Sequence, residues 1–152
     1  MNATPASGQT DSELVAGLRL AAMRLSRRLR RESGDDITPS QLAILATVER
    51  YGPLPLGRIA EVEGVQPPTV TRIVGWLEGE GLVKLVASTE DRRSKVVTVT
   101  AKGSKRLERI RSNRNAWLAC RLDELTPAER STVAEALPVL EKLLREPLEG
   151  GS

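Results

Sequence analysis

The 152 residues suffice for one domain with a core and are too few for two comfortable ones, and with no Phe, one Tyr and two Trp that core must be aliphatic. The absence of His and the single Cys exclude Ser-His-Asp and Cys-His catalysis, an internal disulfide and any ordinary zinc site. A net charge of +3 conceals its distribution: residues 83–114 carry ten basic groups against three acids, while residues 34–82 carry seven acids against three bases. A segment so basic is the footprint of a phosphate-binding surface or of a solvated helix face.

Three helix starts are legible as capping boxes, Thr10-Asp-Ser-Glu13, Thr38-Pro-Ser-Gln41 and Thr126-Pro-Ala-Glu129. In each, the Thr hydroxyl accepts from a backbone N–H three residues on, and Glu or Gln reaches back. The first helix, about 11–32, places Leu14, Leu18, Ala21 or Ala22, Leu25 and Leu29 on one face and six arginines elsewhere. Ser33-Gly34-Asp35-Asp36 breaks it. A second helix covers about 39–51, with Leu42, Leu45 and Ala46 expected inward and Gly52-Pro53 stopping it.

A short third helix spans about 56–63 and is closed by Gly64; after a tight turn, Pro67-Pro68 open a fourth that ends at Gly79-Glu80-Gly81. The fourth has Val70, Ile73, Val74 and Leu77 on one side and Thr69, Thr71, Arg72, Gly75 and Trp76 on the other. Two β-rich runs, Leu82–Ala87 and Val96–Thr100, flank the polar tip Ser88–Lys95 and predict a hairpin. Long helices over about 101–124 and 127–146 follow, the last containing Pro138, which is expected to kink it.

Two short helices joined by a tight turn, the second amphipathic and followed by a basic-tipped hairpin, predict a winged helix-turn-helix. Such a fourth helix can lie in a major groove and offer Thr69, Thr71 and Arg72 to base edges and phosphates. Arg92 and Arg93 at the wing tip can reach a minor groove. The plainer alternatives are a core helix with a polar outside and a solvated turn.

From Thr38 to Arg106 the sequence resembles the MarR family of bacterial regulators. The resemblance is carried by Thr69-Val-Thr-Arg-Ile-Val74 with Leu77, by Gly81-Leu-Val83, by Glu90-Asp-Arg-Arg93 and by Val97-Thr-Val-Thr-Ala-Lys-Gly103. It implies that the helix at 67–80 enters the major groove, that a wing arginine enters the minor groove, and that Asp91 holds the wing arginines by a charge-assisted hydrogen bond. It also implies phosphate contacts from Thr38, Ser40 and Gln41. The full candidate DNA-facing set is Thr38, Ser40, Gln41, Gln66, Pro67, Thr69, Thr71, Arg72, Trp76, Lys84, Asp91, Arg92, Arg93, Ser94 and Lys95. The chain departs from the family pattern at Gln66-Pro67-Pro68, where Ser is common, at Gly75, where an acid is common, and at Leu85, where Arg is frequent.

The apolar stripes of the terminal helices exceed what one small lobe can cover. Leaving Leu14, Leu18, Trp117, Leu122, Leu137, Leu140 and Leu144 open would create a patch larger than monomers tolerate, so they form the expected homodimer interface. A monomer closing on itself as a three-helix bundle is the alternative. Cys120, in the fifth helix, reads as a packed small hydrophobe; thiol sensors of the family carry their cysteine near the start of the first helix.

The expected fold is therefore mainly α with a minor β component. A winged helix-turn-helix lobe at 38–100 joins a helical dimerisation region at 11–33 and 101–147, between disordered tails at 1–10 and 148–152. The expected function is sequence-specific binding of a palindromic operator in double-stranded DNA by a homodimer, most simply as a repressor, with a small aromatic or anionic effector implied by the family. No apolar run reaches the roughly 20 residues needed to cross a bilayer. A cytoplasmic protein without metal, cofactor or membrane partner is expected. The alternatives are a winged-helix protein-interaction module, whose DNA binding would be weak and insensitive to salt, and a redox-responsive regulator using Cys120.

Overall fold

Aliphatic side chains from six elements meet in one core, and their spacing dictates which faces turn inward. The computed structural model describes residues 10–145. In chain order these are α1 (Asp11–Glu32), α2 (Pro39–Tyr51), β1 (Leu54–Pro55), α3 (Leu56–Glu63), α4 (Pro67–Gly79), β2 (Val83–Ala87), β3 (Lys95–Val99), α5 (Ala101–Asp123) and α6 (Pro127–Leu144). The predicted tails at 1–10 and 148–152 lie outside the described residues except for Thr10. Thr10 is the N-cap of α1: its hydroxyl accepts from the Glu13 N–H and its own N–H donates to the Glu13 carboxylate. All three predicted capping boxes are formed.

The chain falls into two compact units, divided within α5 after Arg114. The core of the first contains Ile44, Leu45 and Val48 of α2, Ile59 and Ala60 of α3, Val70, Ile73, Val74 and Leu77 of α4, Leu82, Val83 and Val97 of the hairpin, and Leu107 of α5. Of the α2 residues expected inward, Leu45 is buried, while Leu42 and Ala46 pack against the core from its edge. Ile44 and Val48 take the central places because the buried stripe of α2 turns toward α3 and α4 rather than toward α1. In the second unit no residue from 115 to 145 is buried. Pro138 lies inside α6 without ending it.

Gly64 closes α3 with φ +61°, a left-handed conformation that costs a glycine little, and its N–H returns to the Ala60 and Glu61 carbonyls. That sharp reversal sets α4 against α2 and α3. The hairpin pairs Val83 with Val99 through Ala87 with Lys95, one residue earlier on β3 than the hydrophobic pattern predicts. The sequence pattern gives no sign of β1: Leu54 and Pro55 pair with Val97 and Val96, giving a three-stranded antiparallel sheet in the order β1-β3-β2. Two residues, one of them Pro, leave no periodicity to read. Among the described residues no helix is long and apolar enough to cross a membrane.

The hairpin and α5 touch at Gly103, where a Cβ would run into the Leu82 carbonyl oxygen. Backbone cannot yield as a flexible side chain does, so Gly103→Ala is expected to destabilise the lobe by about 2 kcal/mol or more. The midpoint of urea unfolding followed by circular dichroism checks this, with Gly57→Ala, whose Cβ would meet nothing within 4 Å, as the comparison.

Candidate nucleic-acid interface

Helix α4 is held by its apolar face, which leaves the other for a ligand. Thr71 and Arg72 are exposed and Thr69 is half-buried. The Thr71 hydroxyl donates back to the Pro67 carbonyl (3.1 Å), so its hydrogen is used and its oxygen remains an acceptor. Gln66 caps the helix without a side-chain hydrogen bond. Its carbonyl accepts the Thr69 and Val70 N–H groups at 2.9 and 3.3 Å, and Pro67 and Pro68 have no N–H to offer. The start of α4 therefore lacks the free amides that usually grip a phosphate, and only side chains there could meet one.

At the start of α2 the Thr38 hydroxyl accepts from the Gln41 N–H, and the Gln41 side-chain oxygen accepts from the Thr38 N–H. Capping thus uses the acceptors and leaves donors: the Thr38 hydroxyl hydrogen, the Gln41 amide NH₂ and the Ser40 hydroxyl. Ser40 is exposed, as a phosphate contact requires.

The wing tip is shaped by its own short polar residues. Ser88 N–H donates to the Ser94 carbonyl, and the Ser94 N–H and hydroxyl both donate to the Asp91 carbonyl at 3.0 and 2.9 Å. The Asp91 carboxylate accepts the Arg93 backbone N–H at 2.9 Å. This corrects the expectation that Asp91 grips a guanidinium: here it fixes the turn, and the side chains of Arg92 and Arg93 stand exposed. Lys84 on β2 and Lys95 on β3 are also exposed.

Trp76 sits differently from its candidate neighbours. It packs half-buried against the core, with the Arg106 guanidinium 6.0 Å from its ring centroid. That arginine belongs to a cluster built on a segment whose sequence reads only as a helix break. The Asp35 carboxylate, 1% exposed, accepts from Arg106 Nε at 2.9 Å and Nη2 at 2.6 Å, from Arg109 Nη2 at 2.7 Å and from the Ile37 N–H at 3.0 Å. Arg106 Nη2 also reaches Asp36 at 2.8 Å. The Arg106 fork holds the Asp35 carboxyl well below the usual carboxylate range against the opposing effect of burial, and Asp35 in turn raises the Arg106 guanidinium.

These pairs revise the electrostatic footprint. Arg106 and Arg109 neutralise the acidic loop at 35–36, Arg111 pairs with Glu49 at 2.7 Å, and Lys102 Nζ donates to the Glu80 carbonyl. The cations left facing solvent from the basic segment are chiefly Lys84, Arg92, Arg93, Lys95 and Lys105. Four of those five lie on the wing. Cys120, expected to be packed, is exposed, because the second unit gives α5 no core to bury it in.

A protein-family model matches residues 37–95, from just before α2 to the first residue of β3, and its description is the MarR family. An uncharacterized HTH-type transcriptional regulator of Mycobacterium bovis is 35% identical over 138 residues, covering 90% of this chain and 96% of its own. The chain belongs to the MarR family. The HTH-type transcriptional repressor MdtR of Bacillus subtilis is 30% identical over 122 residues, covering 77% of this chain and 79% of its own. The structure of a MarR family protein from Bacillus stearothermophilus superposes with a TM-score of 0.77 at 25% identity, over 93% of this chain and 99% of the other. This MarR-family chain is a transcriptional regulator by kinship, and its fold is the winged helix-turn-helix expected from the sequence.

The Asp35 cluster makes a pH-dependent contribution of known sign. A carboxyl held low in the folded state stabilises it fully above the unfolded value, and the contribution fades as pH falls toward the folded one. Asp35→Asn is therefore expected to cost about 2 kcal/mol near neutrality, with the gap to wild type narrowing below about pH 4. Urea midpoints of both proteins across that range check it.

Proposed function

We propose that the chain is a sequence-specific repressor that reads a palindromic operator in double-stranded DNA as a homodimer. The observation that carries this reading is the pairing of two exposed elements on one lobe. Helix α4 offers Thr69, Thr71 and Arg72 from a rigidly cored scaffold, and the wing offers Arg92 and Arg93 without competing carboxylates. Thr38, Ser40 and Gln41 supply backbone-positioning donors, while Lys84, Lys95, Ser94, Gln66 and Pro67 border the same surface. Trp76 supports α4 from behind.

What one chain leaves uncovered supports the dimer. Leu14 is 55% exposed, Leu144 83%, and Leu18, Leu137 and Leu140 are also open, while Trp117 and Leu122 are only half-buried. A two-fold pairing covers these residues and brings two recognition helices to one operator. Repression is the mode of the relative MdtR and needs only occupancy of a promoter.

Within the first unit a cavity of about 570 Å³ lies among α1, α2 and α5. Leu25, Leu29, Leu42 and Ile110 give it an apolar wall, and Arg30, Arg111 and Arg114 give it positive charge. The Arg114 Nε is buried without a hydrogen-bond partner, an arrangement that suits an aromatic or aliphatic carboxylate as effector. Such a ligand releases DNA to the extent that it prefers the non-binding conformation.

Selection of random duplexes at about 0.15 M salt is expected to return one near-palindromic site bound by two chains. Arg72→Ala should cost about 1 to 3 kcal/mol on that site and little on random DNA. Replacing Arg92 and Arg93 by Ala should lower the slope of log affinity against log salt by about 1 for each phosphate no longer neutralised. No common sequence, or an unchanged slope, would remove the assignment. Separately, millimolar benzoate is expected to weaken operator binding by wild type and to leave Arg114→Met unaffected, as read by fluorescence anisotropy of labelled DNA.

A further inference from the structure

The connection between α1 and α2 is gripped by one face of α5. Asn113 Nδ2 donates to the Ser33 carbonyl at 3.0 Å, Arg109 reaches Asp35, and Arg106 reaches Asp35 and Asp36. Positions 106, 109 and 113 share a helical face, so the loop lies along about two turns of α5. Gly34, at φ +62°, allows the chain to turn there with only 3.2 Å between a notional Cβ and Asn113 Nδ2.

The same stretch of α5 is fastened to the far end of α4. Lys102 Nζ donates to the Glu80 carbonyl at 2.7 Å, and the Thr100 hydroxyl donates to the Gly81 carbonyl at 2.6 Å. Arg106 lies over the Trp76 ring and 4.0 Å from the Glu80 carboxylate. Its guanidinium is therefore shared between the loop and the C-terminal turn of α4. A staple needed only to hold the loop would be served by Arg109 and the Ile37 N–H; Arg106 adds the link to α4.

We propose that Asp35 is a positioning residue for α4, acting through Arg106, so that the α1–α2 loop sets the pose of the helix that reads DNA. The inference rests on the reading of α4 as that helix. Its physical basis is the planarity of the guanidinium: a fork fixed on the buried Asp35 carboxylate holds one orientation over Trp76, and without that anchor the ring and Glu80 see a rotating cation. Arg106 is largely committed to carboxylates and is poorly placed to bind a phosphate. The clamp thus acts on geometry, not on charge.

The sign of one substitution separates the two. Asp35 precedes the start of α2, where phosphate contacts are assigned, so by Coulomb's law alone Asp35→Asn should strengthen DNA binding. Positioning requires the reverse. Asp35→Asn and Arg106→Lys, which keeps the charge and loses the fork, are each expected to weaken binding to the selected operator about tenfold. The double variant should be no weaker than the weaker single one, because both break one device. Binding to a random duplex should stay within about twofold and the salt slope should not move, since every phosphate keeps its cation. In a Trp117→Phe background, which leaves Trp76 as the only indole, acrylamide quenching should rise in both variants of the free protein.

Tighter or unchanged operator binding by Asp35→Asn, with Arg106→Lys unaffected, would overturn the proposal and leave Asp35 a mere counter-ion. Additive losses, or unaltered quenching beside an intact operator preference, would overturn it as well. Should wild type select no DNA while quenching still rises in both variants, the clamp stands and the DNA reading of α4 falls. Arg106→Lys preserves the ion pair's charge and guards against an Asp35→Asn chain too unstable to measure.

Discussion

A carboxylate taken out of water must be met by hydrogen bonds and opposite charge, and the burial of Asp35 makes that demand in the loop between α1 and α2. Two arginines and a backbone amide answer it, and in doing so they fix where α1 ends, how α2 begins and which face of α5 is turned inward. Removing any one partner would leave the buried carboxylate under-satisfied. Together they exclude water and specify one geometry, because a planar fork on a planar carboxylate tolerates little rotation. The aliphatic core next to it brings α2, α3 and α4 together by close packing, to which the fork adds a directional constraint.

Charge in this chain is therefore divided between two tasks. The arginines of α5 neutralise acids at 35, 36 and 49, so the acidic and basic segments seen along the sequence largely cancel in space. Of the basic segment, what survives as outward field lies mainly on the wing, where Lys84, Arg92, Arg93 and Lys95 have no acid bonded to their side chains. A concentrated source at a protruding tip steers an approaching polyanion better than the same charge spread along a helix, and it does so without destabilising the lobe by self-repulsion.

Signals that act over three or four residues were legible in the sequence. Capping boxes at Thr10, Thr38 and Thr126, the glycine at 64 and the hydrophobic spacing of α4 each bind a residue to near neighbours, and they mark element bounds close to those observed. Contacts across long separations were not. The Asp35 cluster reads in the sequence only as a helix break, because the arginine that completes it lies 71 positions away. The strand β1 exists only because β3 lies beside it. Asp91 shows the opposite failure: the motif is legible as a unit, yet its carboxylate takes the backbone of Arg93 because two residues suit an Asx turn better than a guanidinium's reach.

The absence of buried residues from 115 to 145 gives the two units unequal standing. The first can hold its shape with its own core, whereas helices whose apolar stripes are largely exposed are marginal in water. If the second unit acquires its core only by pairing with another chain, folding of that unit, dimerisation and the placement of two wings on one DNA become a single linked equilibrium. Operator affinity then depends on chain concentration as well as on direct interactions with DNA. Within the first unit α5 carries the Asp35 clamp on one face and residues lining the cavity among α1, α2 and α5 on another. On the proposed reading an effector held there would not need to touch α4, because a displacement of α5 would reach that helix through the guanidinium fork of Arg106.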